Sequence, residues 1–541
     1  MARRDREARR RGLRFVSSAA LDLVEAVSLA PAGRPEDRLQ LDLCDDDDAE
    51  RLYRAFGRNL AFVVGKGWGA WTGSQWDFTE GRQRVRRFAA QLRRLVESEA
   101  RAAERAEIDD VRAQRFIQAR RDAARGRGAQ TVPESVEQAK ALMRRERAAE
   151  LRKHAEKCGN LAKINAAIEL LEHRCLQPFD AFDADPWRIA ARNGVIDLRR
   201  AAEEQPEAED PDELAARRRE WLSPPDRALR NTRTLGVAFD PEADCPRFRE
   251  FINLIEPDPA ARGYLQRALG LTMLGENYLQ VVLLMRGSGG NGKSTLLAVL
   301  ADTLGGYAAT ARIEMFLHTR DERPGQATPE EVALPGARVL IATEPDPGDV
   351  LSAKKIKSMT GGDQRPARAL NCPMFYYRPT AVPILSFNRT PRIKGEDEGL
   401  WRRLEFVLFG VELHKLPDGQ RRDAEEVRAE LREEGAGILN WLLEGFAAAR
   451  ALGGLHPPPA VRRVKDDLRG ASDPVGEFFA DCVEEADGNL PISEAFAAFQ
   501  AYCEKNGLAE VHRARFGRVI AEKGLAETGK SGSVRHLKGR R

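Results

Sequence analysis

The sequence predicts an α/β core, preceded by a mainly helical N-terminal region and followed by a small basic C-terminal unit. Three observations lead there. Residues 287–295 read Gly-Ser-Gly-Gly-Asn-Gly-Lys-Ser-Thr, between an aliphatic run, 280–285, and a second apolar run, 296–300. The block from about 235 to 412 alternates apolar strand-like and helical stretches, the pattern of a layered α/β fold. From Arg513 to Arg541 nine Lys/Arg face two Glu, a local charge of +7 in a chain whose total is only +3.

At 541 residues the chain exceeds one core, and four segments are expected: 1–50, 51–230, 231–455 and 472–541. The first is a charged leader with an acidic cluster at Asp45–Asp48, read as loosely ordered. In the second, Leu60–Val64 and the glycine-spaced Trp68, Trp71 and Trp76 read as hairpin strands with aromatic cross-strand pairs. Val85, Phe88, Leu92, Leu95 and Val96 then recur at helical spacing among arginines, Gly126-Arg127-Gly128 interrupts, and a further helical stretch runs from about Glu134 to Leu176. Asn193-Gly194 reads as a turn into a strand. The charged stretch 203–219 reads as a linker, placing a boundary near 205–230. Later, Pro457-Pro458-Pro459 breaks the chain before the last unit.

Composition excludes several classes. Seven scattered cysteines without a Cys-x-x-Cys or a Cys/His cluster fit neither a disulfide framework nor a zinc site. No apolar run reaches the length of a membrane span, and the arginine-rich start is unlike a signal peptide. A cytoplasmic protein is expected.

The chemistry begins with the loop. Gly287, four residues, then Gly292-Lys293-Ser294 is the phosphate-binding spacing, and its strand–loop–helix context is present. Gly287, Ser288, Gly289, Gly290, Asn291 and Gly292 would curl several N–H groups around a phosphate chain, with Lys293, Ser294 and Thr295 opening a helix whose positive dipole end adds to the field. Lys293 would reach the β/γ-phosphates, and Ser294 would hold Mg²⁺. Three further places qualify. A hydrophobic strand ends in Glu344, an acid able to orient the attacking water and support Mg²⁺. Another ends in Asn388, whose amide could bond both phosphate and water. Arg402 and Arg403 precede a third strand, as surface ion pairs or as arginines reaching a neighbouring subunit's phosphate. Between them lies a basic stretch, Lys354–Arg368, followed by Phe375-Tyr376-Tyr377-Arg378. Those aromatics suit either base stacking or a core.

In this order, the glycine-rich loop, Glu344, Lys357 with Thr360-Gly361-Gly362-Asp363 and Arg368, Asn388 with Pro391, and Trp401-Arg402-Arg403 resemble the superfamily 3 helicase module of phage and plasmid primase-helicases, the group related to the poxvirus replicative helicase-primase. The resemblance implies an AAA+-like P-loop ATPase core using ATP and Mg²⁺, with Glu344 as the Walker B carboxylate and Asn388 as sensor. It implies Arg403, or Arg402, as the finger acting between subunits, and Lys357 and Arg368 near single-stranded DNA. It further implies a homo-oligomeric ring, usually a hexamer, and a C-terminal winged helix in which Arg513, Arg515, Arg518, Lys530 and Arg535 meet DNA. Phe516, Val519 and Ile520 would be the buried face of that helix, and 529–532 the wing tip. Glu344 is followed by Pro345 rather than a second acid, and the sequence shows neither a zinc-binding cysteine cluster nor the carboxylate motif of a primase. The expectation is therefore a DNA helicase of a phage, prophage or plasmid replication system in a bacterial cytoplasm, with a separate primase or initiator. The alternative is a nucleotide-switched DNA-binding loader; a small-molecule kinase fits the basic tail poorly.

Overall fold

The computed structural model describes residues 31–124, 131–203, 211–318, 329–345, 349–368, 374–388, 390–393, 398–417, 422–471, 474–506, 511–531 and 534–540. The leader's first thirty residues and Gly126-Arg127-Gly128 lie outside these.

The N-terminal unit packs six helices on a three-stranded antiparallel sheet. The helices are α1 (Asp45–Phe56), α2 (Gly81–Ala89), α3 (Leu92–Ala103), α4 (Asp110–Ala124), α5 (Val136–Cys158) and α6 (Leu161–Arg174), and the strands are β1 (Leu60–Val63), β2 (Gly67–Trp71) and β3 (Trp76–Asp77). Spacing explains α3: Leu92, Leu95, Val96, Ala100 and Ala103 form one buried stripe. The acidic run expected in a loose leader instead opens α1. Four aspartates occupy its first turn, where the positive end of the helix dipole favours them. Lys163 and Arg174 from α6 bond Asp45 and Asp46 at 2.5 and 2.8 Å. Buried Glu99 accepts from both Arg38 and Arg51. Burial pushes its carboxyl above the usual range, although the two guanidiniums oppose this.

Strands β4 (Arg188–Ala191), β5 (Gly194–Asp197) and β6 (Leu222–Ser223) form a separate antiparallel sheet whose Ile189 and Ile196 join the central hydrophobic core, while Phe182 and the carbonyls of Arg227 and Asn231 pack on the N-terminal strands. Trp221 stacks on Phe239 at 6.1 Å between centroids, fastening this sheet to the chain that leads into the central domain. The linker-like stretch is partly a helix, Pro211–Arg219, and its buried Arg218 bonds Glu444 at 3.3 Å.

The central domain holds five parallel strands in the order β13–β7–β12–β9–β8: β7 (Val282–Gly287), β8 (Ala308–Thr310), β9 (Val339–Thr343), β12 (Val382–Phe387) and β13 (Leu404–Phe409). A small hairpin, β10 (Arg365–Ala367) with β11 (Phe375–Tyr377), lies between β9 and β12 in sequence. Strands buried on both faces need continuous apolar runs, and Val282–Met285 is fully buried. Helices α7 (Pro246–Ile255), α8 (Pro259–Gly270), α9 (Lys293–Leu304), α10 (Ala353–Thr360), α11 (Ala424–Glu433) and α12 (Gly435–Ala451) surround the sheet.

Helix α13 (Pro459–Ala471) rests on β13, with Lys465 bonded to Glu405 at 3.0 Å, and leads to the last unit. There the order is α14 (Pro474–Cys482), β14 (Glu485–Pro491), α15 (Ile492–Asn506), α16 (Arg513–Glu522) and a hairpin, β15 (Thr528–Ser531) with β16 (Val534–Arg540). Phe478, Phe499 and Phe516 centre its own core.

Candidate functional site

Strand order puts three carboxyl ends side by side. β12 lies between β7 and β9 and pairs with both, so the loop after β7, Asn388 after β12 and Glu344 after β9 meet at one edge. Ligands of open parallel sheets bind at that edge. A cavity of about 1100 Å³ opens there, lined by residues 289–295, Glu344 and Asn388.

The loop shows why glycine is needed. Gly289, Gly290 and Gly292 have φ of +97°, +59° and +83°, turning successive N–H groups toward one concavity. A Cβ at Gly292 would lie 2.6 Å from Ile255 Cγ2. Residues after β13 strap the loop from outside: Leu413 N donates to Gly290 O at 2.8 Å and Ser288 Oγ to Glu412 Oε1 at 3.1 Å.

Lys293 is 4% exposed. Its Nζ donates to Gly287 O and Asn291 Oδ1, both at 2.9 Å, and to Asn388 Oδ1 at 3.3 Å. Burial lowers the ammonium's pKa, against the opposing pull of the Glu344 carboxylate. Glu344 has φ +56°, a left-handed conformation costly for a residue with a Cβ, and its N–H is clipped to Ser386 O at 2.9 Å. Ser294 and Glu344 line the same cavity, a hydroxyl and a carboxylate of the donor type Mg²⁺ prefers. Its other walls combine apolar Phe251 and Leu254 from α7 and Val427 and Leu431 from α11 with charged Arg247, Glu250 and Glu430. Neither helix stood out as a site in the sequence; only folding brings these walls, far apart in the chain, together.

The two arginines diverge. Arg403, 7% exposed, donates to Thr360 Oγ1 at 3.1 Å, Gly399 O at 2.7 Å and Gln280 Oε1 at 2.8 Å, so it is held inside its own chain. Arg402 beside it is exposed. Both sit at the sheet's opposite end from the phosphate loop, where Arg403 O accepts from Val282 N. Their place before β13 alternates faces, and the sequence alone does not tell which one turns inward.

The aromatic run resolves as a strand should. Phe375 and Tyr377 are buried, while Tyr376 is 55% exposed and flanked on its face by exposed Met374 and Arg378. Phe375 stacks on Phe179 at 4.7 Å, and Glu331 grips both Tyr377 and Arg365. Arg368 at the hairpin's end is exposed, and Lys357 on α10 is half-buried. On α16, Phe516 and Ile520 are buried, Val519 is half-buried, and Arg513, Arg515 and Arg518 are exposed. Lys530 and Arg535 pair in register across the final hairpin; their side chains lie outside the described residues.

One cluster escaped sequence reading because its members are a hundred residues apart. Asp48, His154 and Cys158 bring ligand-type atoms within 4.8 Å of one another in the N-terminal core. Asp48 is already engaged by His154 at 2.8 Å, Arg51 at 3.4 Å and Lys163 at 3.7 Å, a set of partners that suits a buried carboxylate better than a metal. Burial, then Asp48, pushes the Cys158 thiol up to about 12.

Residues 49–256 match the family model described as D5 N terminal like. The chain is 28% identical over 249 residues to a putative helicase, L207/L206, of Acanthamoeba polyphaga mimivirus, covering 44% of this chain and 26% of that protein. It is 26% identical over 283 residues to putative helicase 022R of Frog virus 3, covering 50% and 29%. A putative primase, C962R, of African swine fever virus is 28% identical over 188 residues, covering 34% and 19%. The matched regions thus span less than a third of each relative. Among solved structures, the apo NrS-1 C terminal region aligns at a TM-score of 0.38 and 13% identity, over 55% of this chain and 76% of that one. No helix among the described residues is long and apolar enough to cross a membrane. The chain is thus similar to the D5 N terminal like family over residues 49–256 and to viral proteins named as putative helicases and primases.

Proposed function

We propose that the chain is an ATP-driven, Mg²⁺-dependent DNA helicase that works as a homo-oligomeric ring, a hexamer in the reading its sequence suggests. The observation carrying this is the meeting of Lys293, Asn388 and Glu344 at one cavity edge, with Lys293 Nζ 3.3 Å from Asn388 Oδ1. Triphosphate oxygens would replace the backbone and amide oxygens that now hold Lys293, and the loop N–H groups would take the rest. Mg²⁺, bound through Ser294 and Glu344, would neutralise charge developing on the phosphates. Asn388 would orient the attacking water without adding charge, and Glu344 would accept its hydrogen bond. Arg402, exposed and at the far end of its own sheet, is suited to a neighbour's site rather than its own.

Tyr376, with Arg368 and Arg378 about it, supplies a stacking ring between cations, the combination that tracks a single strand. The helix–strand–helix–helix–hairpin order of 474–540, with three exposed arginines on α16, supports a winged-helix unit on DNA. The relatives named are viral, so replication of a viral or phage genome is the setting; a separate primase or initiator would supply priming.

The test is duplex unwinding on 3′- and 5′-tailed substrates with mass measured in ATP. Wild type should unwind one tail polarity as a ring, and Lys293→Ala should not; unwinding by Lys293→Ala would remove the assignment. Tyr376→Ala should weaken single-stranded DNA binding by about 1–3 kcal/mol per lost stack, read by fluorescence anisotropy, with DNA-independent ATPase unchanged.

A further inference from the structure

Helix α11 lends the cavity apolar Val427 and Leu431, yet it comes after the last strand of the sheet. Beside the packing of buried Leu431, one carboxylate ties it to the phosphate-loop helix. Asp302, on the phosphate-loop helix α9, accepts from Arg428 at 3.1 and 3.2 Å in a two-pronged fork. It also accepts from Arg432, one turn on, at 3.0 and 2.9 Å. The residue that ends α11 makes a separate tie: Glu434 accepts the N–H groups of Arg247 and Phe248 at 3.2 and 2.9 Å, capping α7, which carries the opposite wall. Three helices around one cavity are therefore joined by two acids.

We propose that Asp302, acting through Arg428 and Arg432, is a positioning residue that holds α11 against α9 and so sets the width of the slot that receives the nucleoside part of the triphosphate. This rests on the nucleotide-site reading above and goes beyond it by placing control of affinity outside the phosphate contacts. Asp302 touches no phosphate-loop residue, so its loss should spare chemistry and weaken capture. Burial raises the Asp302 carboxyl, but the two guanidiniums outweigh it and hold the group below the usual carboxylate range. A partly exposed ion-pair network of this kind is screened by salt.

The experiment titrates the full chain with N-methylanthraniloyl-ATP and measures steady-state phosphate release, at low and high salt. Asp302→Asn should raise Kd and KM about 3- to 10-fold while leaving kcat at saturation within twofold. Asp302→Glu should restore much of the affinity, and Arg432→Ala, a milder surface change, should give a smaller shift in the same direction. Raising salt should weaken binding by wild type more than by Asp302→Asn. If wild type binds the probe, Lys293→Ala does not, and Asp302→Asn binds within twofold of wild type, the clamp is wrong and the nucleotide site stands. If wild type itself fails to bind, the underlying site reading falls.

Discussion

Lys293 and Arg403 are both buried cations, each held by three neutral oxygens, at opposite ends of adjacent parallel strands. At a rise of roughly 3.3 Å per residue, the strand between them separates the two ends by about 17–20 Å. Their surroundings differ. Lys293 faces a large cavity and leans on acceptors an anion can displace; Arg403 fills a packed corner between β13, α10 and the turn before β7. Burial and hydrogen bonding alone therefore do not mark a site. What marks it is an open volume on the side where the charge points.

That contrast can be broken, beginning with the largest effect. Arg402→Ala should cut turnover of the assembled protein by about 10³-fold or more while ATP binding and thermal stability stay put; unchanged turnover would favour the nucleotide-switched loader. Lys293→Ala should lower phosphate release by about 10²–10³-fold, with the unfolding midpoint near wild type, since its loop carbonyl and amide can turn to water. Arg403→Ala should act in the opposite sense, costing about 2–4 kcal/mol of stability by urea unfolding because Thr360, Gln280 and the Gly399 carbonyl lose their donor in a dry corner. Were Arg403→Ala to fold normally and lose only turnover, Arg403 would take back the intersubunit role.

How much was legible depends on distance along the chain. The phosphate loop is local, nine consecutive residues whose backbone needs force their identity, so it reads directly. Glu344 and Asn388 were readable because each ends an apolar strand. The inward turn of Arg403 depends on Thr360 and Gln280, 43 and 123 residues away, and adjacent arginines give no local sign of which one is chosen. The charged stretches misled for a related reason. Asp45–Asp48 looks solvated until α6 supplies Lys163 and Arg174, and the stretch before Trp221 looks like a linker until β5 and Phe239 close over it. The slot walls, α7 and α11, are ordinary amphipathic helices in sequence.

The strand order also dictates when this chain can fold during synthesis. β7 is complete by residue 287, but its partners β12 and β13 are made about a hundred residues later. A ribosome adding ~5–20 residues per second leaves its hydrophobic edges uncovered for roughly 5–20 seconds. The N-terminal unit, whose last contacts come from Phe182 and the stretch to Asn231, can be finished before then. Chaperone demand should thus concentrate on the interval between residues 287 and 409, and truncations ending inside it should aggregate where one ending near 235 stays dispersed.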